Sequence, residues 1–138
     1  MASGGSCRHA GGIDRGEAAQ RCERGGKPIA QHQAILFRLA EMATKVETAH
    51  ALMVKAARLK DRGERNDVEA GMAKMLASEY CKEVTEEAFR IHGGYGYSKE
   101  YEIERLMREA PFLLIGEGTS EVHQLVIGQA LTGVSAFR

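Results

Sequence analysis

The sequence has few of the residues that favour β-structure or interrupt helices. Its 138 residues include only two prolines, and aromatic residues make up 6%. Alanine, leucine, methionine, glutamate, lysine and arginine are plentiful, and these residues favour helix. The composition therefore predicts an all-α protein, and 43% hydrophobic with 28% charged residues is ordinary for a soluble globular domain.

The sequence also lacks an excess of either charge, paired cysteines and long apolar runs. Lysine plus arginine and aspartate plus glutamate number 19 each, which gives no support to nucleic acid or an anionic membrane as a partner. The three cysteines are far apart and the histidines lack a ligand spacing, so neither a disulfide framework nor a metal site is predicted. No stretch is long enough for a predicted membrane span, and the first residues lack the apolar segment that is typical of a secretory signal.

Residues 1–26 differ in composition from the rest of the chain. Seven of the sixteen glycines lie in the first 27 residues, where Ile13 is the only large aliphatic residue beyond Met1. Such a segment buries too little apolar surface to offset the entropy of ordering it. We therefore expect residues 1–26 to be disordered or atypical, and we place the domain at residues 27–138.

Apolar residues recur at steps of three and four in the remainder and predict four helices. The first apolar stripe consists of Ile35, Leu39, Met42, Val46, Ala49, Met53 and Ala56. The predicted helices cover roughly residues 28–60, 67–91, 101–109 and 119–133. Pro28 suits a first turn, and Asn66 or Asp67 can cap the second helix. These segments predict an up-and-down four-helix bundle.

Two glycine-rich segments interrupt the predicted helices. The first, His92–Tyr97, reads HGGYGY and is expected to be a loop. A helix C-cap explains two of its glycines, and close approach of a group such as phosphate is the alternative. The second places Glu117 just before a helix start. Glu117 is either an acid favoured by the positive helix end or a general base whose pKa partial desolvation raises. The residues alone favour the first interpretation.

The combination of these motifs, in this order, resembles the C-terminal helical domain of acyl-CoA dehydrogenases. The resemblance covers residues 26–137, nearly all of the chain that we expect to be ordered. It is carried by Gly26–Ile29, Gln33-Ala34-Ile35, RIHGGYGY at Arg90–Tyr97, Glu100, Arg105, Glu109 and IGEGTSE at Ile115–Glu121.

The resemblance implies a FAD-dependent oxidoreductase of fatty acid metabolism that forms an α,β double bond in an acyl-CoA thioester. Glu117 would remove the α-proton while FAD takes the β-hydride, and Gly118 would let the thioester approach the backbone. The cofactor contacts that it implies are Gln33, Arg90, Gly93, Gly94, Thr119, Ser120 and Glu121. It also implies electron-transfer flavoprotein or a similar acceptor, a homodimer or homotetramer, and the bacterial cytoplasm or, alternatively, the mitochondrial matrix.

Departures from the family pattern support an alternative interpretation. The family has an Arg-x-x-Phe-Gly pattern before the Lys-Pro-Ile segment, whereas Cys22 and Gly25 stand at the aligned places here. The family's N-terminal helical and middle β domains are also missing, so we expect a C-terminal fragment, a truncated gene product or one part of a split enzyme. The alternative is a catalytically incompetent helical bundle that serves only as an oligomerisation or binding module.

Overall fold

A computed structural model describes residues 19–20 and 23–136 of the chain. They belong to two compact units, one combining residues up to Thr44 with Val84–Arg108, the other combining Lys45–Glu83 with the residues from Glu109 onward. Residues 23–136 contain four α-helices: α1 (Gln33–Asp61), α2 (Asp67–His92), α3 (Glu102–Glu109) and α4 (Ser120–Thr132). Short 3₁₀ helices lie at Ile29–Gln31, Gly93–Tyr97 and Ala110–Leu114, and two short strands are β1 (Glu23–Arg24) and β2 (Lys27–Pro28). The predicted all-α fold class is confirmed.

The two strands form a hairpin that the composition of the N-terminal segment did not predict. β1 pairs antiparallel with β2, and Arg24 stands opposite Lys27. Between them Gly25 and Gly26 have φ of 66° and 77°. Positive φ at both turn residues matches the twist of a two-residue hairpin, and glycine adopts it without steric cost. The Gly-Gly dipeptide was therefore the sequence signal for this element.

α1 begins at Gln33, later than the predicted start at Pro28. Pro28 has φ −52° and ψ 139°, an extended conformation, and it belongs to β2. The 3₁₀ turn at Ile29–Gln31 follows before the α-helix begins. The prediction of this boundary was wrong because proline's fixed φ suits an extended strand end as well as a first helical turn.

The end of α1 is capped as its glycine predicts. Gly63 has φ 70°, and its N–H donates to the Lys60 carbonyl over 2.9 Å. The next N–H, of Glu64, donates to the Leu59 carbonyl over 3.0 Å. This pair of bonds is a Schellman motif, in which a left-handed residue satisfies the last carbonyls of the helix.

α2 begins at the predicted residue, and Asp67 stabilises its first turn. The Arg65 guanidinium donates to both Asp67 carboxylate oxygens, over 2.6 and 2.8 Å. These hydrogen bonds, together with those from the first backbone N–H groups of the helix, hold the pKa of Asp67 below its usual range. The other capping candidate, Asn66, donates its side-chain amide to the Ala56 carbonyl over 3.3 Å.

Several large apolar side chains are exposed in the unit that contains α4. Of the predicted stripe on α1, Ala56 is buried, whereas Val46 and Met53 are each 52% exposed. Outside α1, the largest exposed apolar side chains of this unit are Phe112, Ile115, Leu131 and Val134. No large side chain among the described residues is fully buried. An apolar surface of this extent is typical of a face that another protein surface covers.

Replacing Gly128, within α4, is expected to stabilise the protein. No atom lies within 4 Å of the position that a Cβ would occupy at this residue. Because glycine costs helix interiors about 1 kcal/mol relative to alanine, Gly128→Ala should raise the free energy of unfolding by roughly that amount. Urea denaturation measures the change. A lower free energy of unfolding would show that the added methyl group at residue 128 meets other atoms of the protein.

Candidate active site

Glu117 lies between the last 3₁₀ helix and α4 with an unusual backbone. Its φ is 60°, and it is the only described residue other than glycine with a positive φ. For an L-residue this left-handed conformation costs roughly 1–2 kcal/mol. The side chain is exposed, so the described residues do not themselves supply the desolvation that the general-base interpretation needs. Backbone strain at an exposed carboxylate is typical of a functional position.

Gly118, the next residue, is required by the chain's own packing. Its φ is 99°, and a Cβ there would lie 3.1 Å from Nε2 of His123. A Cβ on Gly71 of α2 would lie 3.4 Å from Nδ1 of the same ring. The His123 imidazole therefore lies against two glycines, and its buried Nε2 has no hydrogen-bond partner within the described chain. Sequence reasoning did not single out His123 for this role.

The start of α4 is capped by Thr119, one of two residues, with Ser120, that could cap it from their place in the sequence. The Thr119 hydroxyl accepts a hydrogen bond from the Val122 N–H over 3.4 Å, and Thr119 has an extended backbone. A hydrogen bond from Glu121's own N–H, followed by one from the Thr119 side chain, holds the pKa of Glu121 below its usual range. Both side chains therefore stabilise the helix start whether or not they also contact a cofactor.

The Ser120 side chain forms a hydrogen bond within the chain. Its hydroxyl donates to Oε1 of Glu79 on α2 over 2.7 Å, and the residue is only 8% exposed. A buried hydroxyl that donates its proton to a carboxylate cannot donate the same proton to a ligand. The Ser120 hydroxyl proton is therefore used within the chain, and no described contact shows how Ser120 meets a cofactor.

Lys74 of α2 ties the Glu117 loop to the helix. Its ammonium donates to the Leu113 carbonyl over 2.9 Å and to the Gly118 carbonyl over 2.6 Å. The two acceptors lie on either side of Glu117 in the sequence. Nothing in the sequence marked this lysine, because a single cation on a helix carries no motif and its partners are backbone carbonyls distant in sequence.

Arg90 and the glycines that follow it belong to the other unit. The Arg90 guanidinium donates to Glu86 over 2.7 Å and to Glu87 over 2.6 Å, so two carboxylates already offset its charge. Gly93, with φ 58°, and Gly94 are exposed, and no atom lies within 4 Å of a Cβ built on either. Their backbone is open to a ligand such as the diphosphate of a nucleotide.

The third glycine of this segment has a different explanation. A Cβ on Gly96 would lie 3.0 Å from the Phe89 carbonyl oxygen and 3.3 Å from the His92 Cβ. The atoms that approach Gly96 closely therefore belong to the last turn of α2 and not to a ligand. The expected loop is in fact the 3₁₀ helix Gly93–Tyr97, and this tight turn needs the small residue.

The predicted site residues fall into two groups, one in each unit. Glu117, Gly118, Thr119, Ser120 and Glu121 adjoin one another at the start of α4. The second group consists of Gln33, exposed at the start of α1, with Arg90, Gly93 and Gly94. Among the described residues, no three metal-binding side chains cluster, and no helix is both long and apolar enough to cross a membrane.

Comparison with known proteins identifies the family. The profile of the acyl-CoA dehydrogenase C-terminal domain matches residues 5–132. The chain belongs to the acyl-CoA dehydrogenase family, a family of oxidoreductases and flavoproteins, and contains its C-terminal helical domain. The matched span starts ahead of Lys27, where composition placed the beginning of the domain.

Three relatives illustrate the similarity. The chain is 51% identical over 106 residues to caffeyl-CoA reductase-Etf complex subunit CarC of Acetobacterium woodii, covering 77% of this chain and 28% of that protein. Butyryl-CoA dehydrogenase from Megasphaera elsdenii matches with a TM-score of 0.83 and 44% identity, over 86% of this chain and 31% of that one. A glutaryl-CoA dehydrogenase from Mycobacterium smegmatis, solved with FADH2, matches with a TM-score of 0.82 and 31% identity, over 87% and 31%.

The chain thus spans about three tenths of the length of these relatives. The FADH2 in the Mycobacterium smegmatis structure agrees with the expectation that FAD is the cofactor of this family.

Proposed function

We propose that this chain provides the proton-transferring part of a flavin-dependent enzyme that forms an α,β double bond in an acyl-CoA thioester. The observation that carries the proposal is Glu117, a carboxylate held in a left-handed backbone conformation within the span that matches the family. Strain of this kind persists only where the surroundings determine it, and it concentrates at functional positions.

Glu117 acts as the general base in this proposal. An α-C–H bond beside a thioester carbonyl is weakly acidic, so the carboxylate must lie close to the α-carbon and the water around it must be excluded. The exposed side chain leaves room for a substrate on its open side. The bound acyl group and the parts of the enzyme beyond the described residues complete the exclusion of water.

The open backbone at Gly93 and Gly94 fits a cofactor such as FAD. Both residues are exposed, and no side chain or distant backbone atom occupies the space beside them, so phosphate oxygens could approach this backbone closely. Thr119 and Glu121 at the start of α4 are further residues that the family resemblance assigns to the cofactor. When bound, FAD supplies the acceptor for the hydride that leaves the β-carbon.

The same residues serve the reaction in either direction. A base that removes the α-proton during oxidation returns it to the α-carbon during reduction, because both directions share one transition state. The three relatives include a reductase and two dehydrogenases, which supports this view. We leave the acyl group open and propose only an acyl-CoA thioester.

The partners and location of the enzyme follow from the same relatives. We propose electron-transfer flavoprotein or a similar acceptor, supported by the Etf complex in the name of the Acetobacterium woodii relative. Self-association is supported by the exposed apolar side chains near α4. The bacterial cytoplasm is the proposed location, since this relative is bacterial and nothing supports the mitochondrial matrix.

A non-catalytic helical bundle that only associates with other subunits is the second candidate. It is favoured by two contacts that hold predicted cofactor side chains within the chain: Ser120 to Glu79, and Arg90 to two glutamates. In this case the fold and its apolar surface remain useful while the flavin site does not.

Binding of FAD separates the two candidates. We expect the purified chain, mixed with FAD, to show a perturbed visible flavin spectrum and to retain flavin through gel filtration, with its mass measured in the same run. A chain that stays colourless and leaves added FAD unperturbed would remove the claim of flavin binding for this chain and favour the second candidate.

Gly94→Ala is the matched variant for this experiment. Because a Cβ at this residue meets no chain atom, the variant should keep its stability within about 0.5 kcal/mol, as ordinary surface substitutions do. The added methyl group occupies the space proposed for the cofactor, so FAD should bind about tenfold more weakly, equivalent to roughly 1.4 kcal/mol. Equal affinities would place the cofactor away from this backbone.

A further inference from the structure

One face of α2 holds the segment that carries Glu117 through three separate contacts. Gly71 receives the ring of His123, Lys74 binds two backbone carbonyls, and Glu79 accepts the hydroxyl proton of Ser120. Gly71 and Lys74 are three positions apart and share a helix face, and Glu79 lies eight positions, about two turns, beyond Gly71. The Lys74 contact differs from the other two because it acts on both sides of Glu117.

The loop has little hydrogen bonding of its own near Glu117. Two backbone bonds, from the N–H groups of Ile115 and Gly116 to the Phe112 carbonyl, organise the turn before Glu117. After Glu117, the Gly118 carbonyl accepts the Lys74 ammonium over 2.6 Å. The bond at Leu113 secures the other side of the loop over 2.9 Å. Lys74 therefore links the turn, Glu117 and the start of α4 to one rigid helix.

We infer that Lys74 is a positioning residue for the proposed base: its ammonium holds the Leu113 and Gly118 carbonyls and thereby fixes the backbone from which the Glu117 carboxylate projects. The inference rests on the proposed function of Glu117. A left-handed φ at a residue other than glycine persists only when neighbouring contacts determine it. A cation bonded to two carbonyls is such a contact, since charged donors form the stronger hydrogen bonds.

The consequence for the reaction lies in orientation. Proton transfer requires the carboxylate at a defined distance from the α-carbon, and a displacement of about 1 Å can reduce a rate about 100-fold. Without Lys74, the Gly118 carbonyl loses this anchor and Glu117 gains access to ordinary backbone conformations. Flavin binding, which we assign to other atoms, should then be retained while proton transfer slows.

Three variants of the full 138-residue chain test the inference. Lys74→Met removes the ammonium and keeps a stem of similar length, Lys74→Arg restores donors, and Lys82→Met removes an exposed lysine further along α2 as the control. The measurement is the heteronuclear NOE of the Glu117 and Gly118 backbone amides by NMR. We expect it to fall to the level of mobile chain in Lys74→Met, to recover substantially in Lys74→Arg and to stay unchanged in Lys82→Met. An unchanged value in a folded Lys74→Met chain would overturn the inference.

The unmodified chain offers a measurement that does not depend on a variant folding. Bonded ammonium protons exchange slowly with water, so the Lys74 Nζ protons should be visible by NMR under conditions where those of Lys82 are not. Equal exchange at the two lysines would overturn the inference.

A flavin measurement distinguishes failure of this inference from failure of the proposed function. Where the chain binds FAD and butyryl-CoA bleaches it, Lys74→Met should bleach about 100-fold more slowly with FAD affinity unchanged, and Lys74→Arg should recover much of the rate. Bleaching at the unmodified rate would overturn the role of Lys74 alone. A chain that binds no FAD contradicts the proposed function, while the amide NOE still decides whether Lys74 orders the loop.

Discussion

Glu117→Gln is expected to slow acyl-CoA-dependent bleaching of the bound flavin by about 10²–10⁴-fold, the usual contribution of a positioned general base. Glutamine has nearly the size of glutamate and remains polar, but its amide does not accept the α-proton. Glutamine and glutamate have equal difficulty in adopting the φ of 60° at this residue. The variant should therefore fold and bind FAD as the unmodified chain does. The measurement is rapid-mixing absorbance of the flavin after addition of butyryl-CoA.

Glu47→Gln makes the same chemical change at an exposed position of α1 and serves as the control. It should leave both the bleaching rate and the free energy of unfolding unchanged. Bleaching at the unmodified rate in Glu117→Gln would rule Glu117 out as the base. Loss of FAD binding in that variant would instead assign Glu117 to the cofactor site.

Gly118→Ala should destabilise the fold by about 2–6 kcal/mol, because two costs of roughly 1–3 kcal/mol each coincide there. Its φ of 99° is unfavourable for any residue with a side chain, and the new methyl group would lie 3.1 Å from Nε2 of the His123 ring. Thermal or urea unfolding gives the change, and the closed packing at Gly118 contrasts with the open place at Gly128, where the same substitution should stabilise.

A double substitution separates the two costs at Gly118. His123→Ala removes the ring that the new methyl group meets, so Gly118→Ala should cost less in the His123→Ala background than in the unmodified chain. If the backbone strain at residue 118 is the whole cause, Gly118→Ala should lower the free energy of unfolding equally in both backgrounds. That result would show that the His123 ring does not constrain residue 118.

The helices were predictable because their signals are local. Apolar spacing defined all four, and Gly63, Thr119 and Gly133 marked ends that the structure confirms. The boundary at Pro28 was wrong because proline suits both a strand end and a first turn. The hairpin was missed because a glycine-rich composition was given more weight than the Gly25-Gly26 turn signal.

The candidate site was predictable only in its local part. The EGT motif pointed to Glu117, and the start of α4 could be read from its capping residue. Lys74, Glu79 and His123 could not be found, because their partners are carbonyls, a hydroxyl and glycines distant in sequence. Contacts of this kind depend on the packing of helices, which spacing along one chain does not specify.

The left-handed backbone at Glu117 gives this position opposite preferences under two kinds of selection. Glycine and asparagine adopt that conformation at lower cost than glutamate. A lineage that needs only a folded bundle therefore gains stability when glycine or asparagine replaces Glu117. A lineage that needs the base retains glutamate despite the strain. Substitution at position 117 among descendants of this chain would therefore record which of the two proposed functions has been maintained.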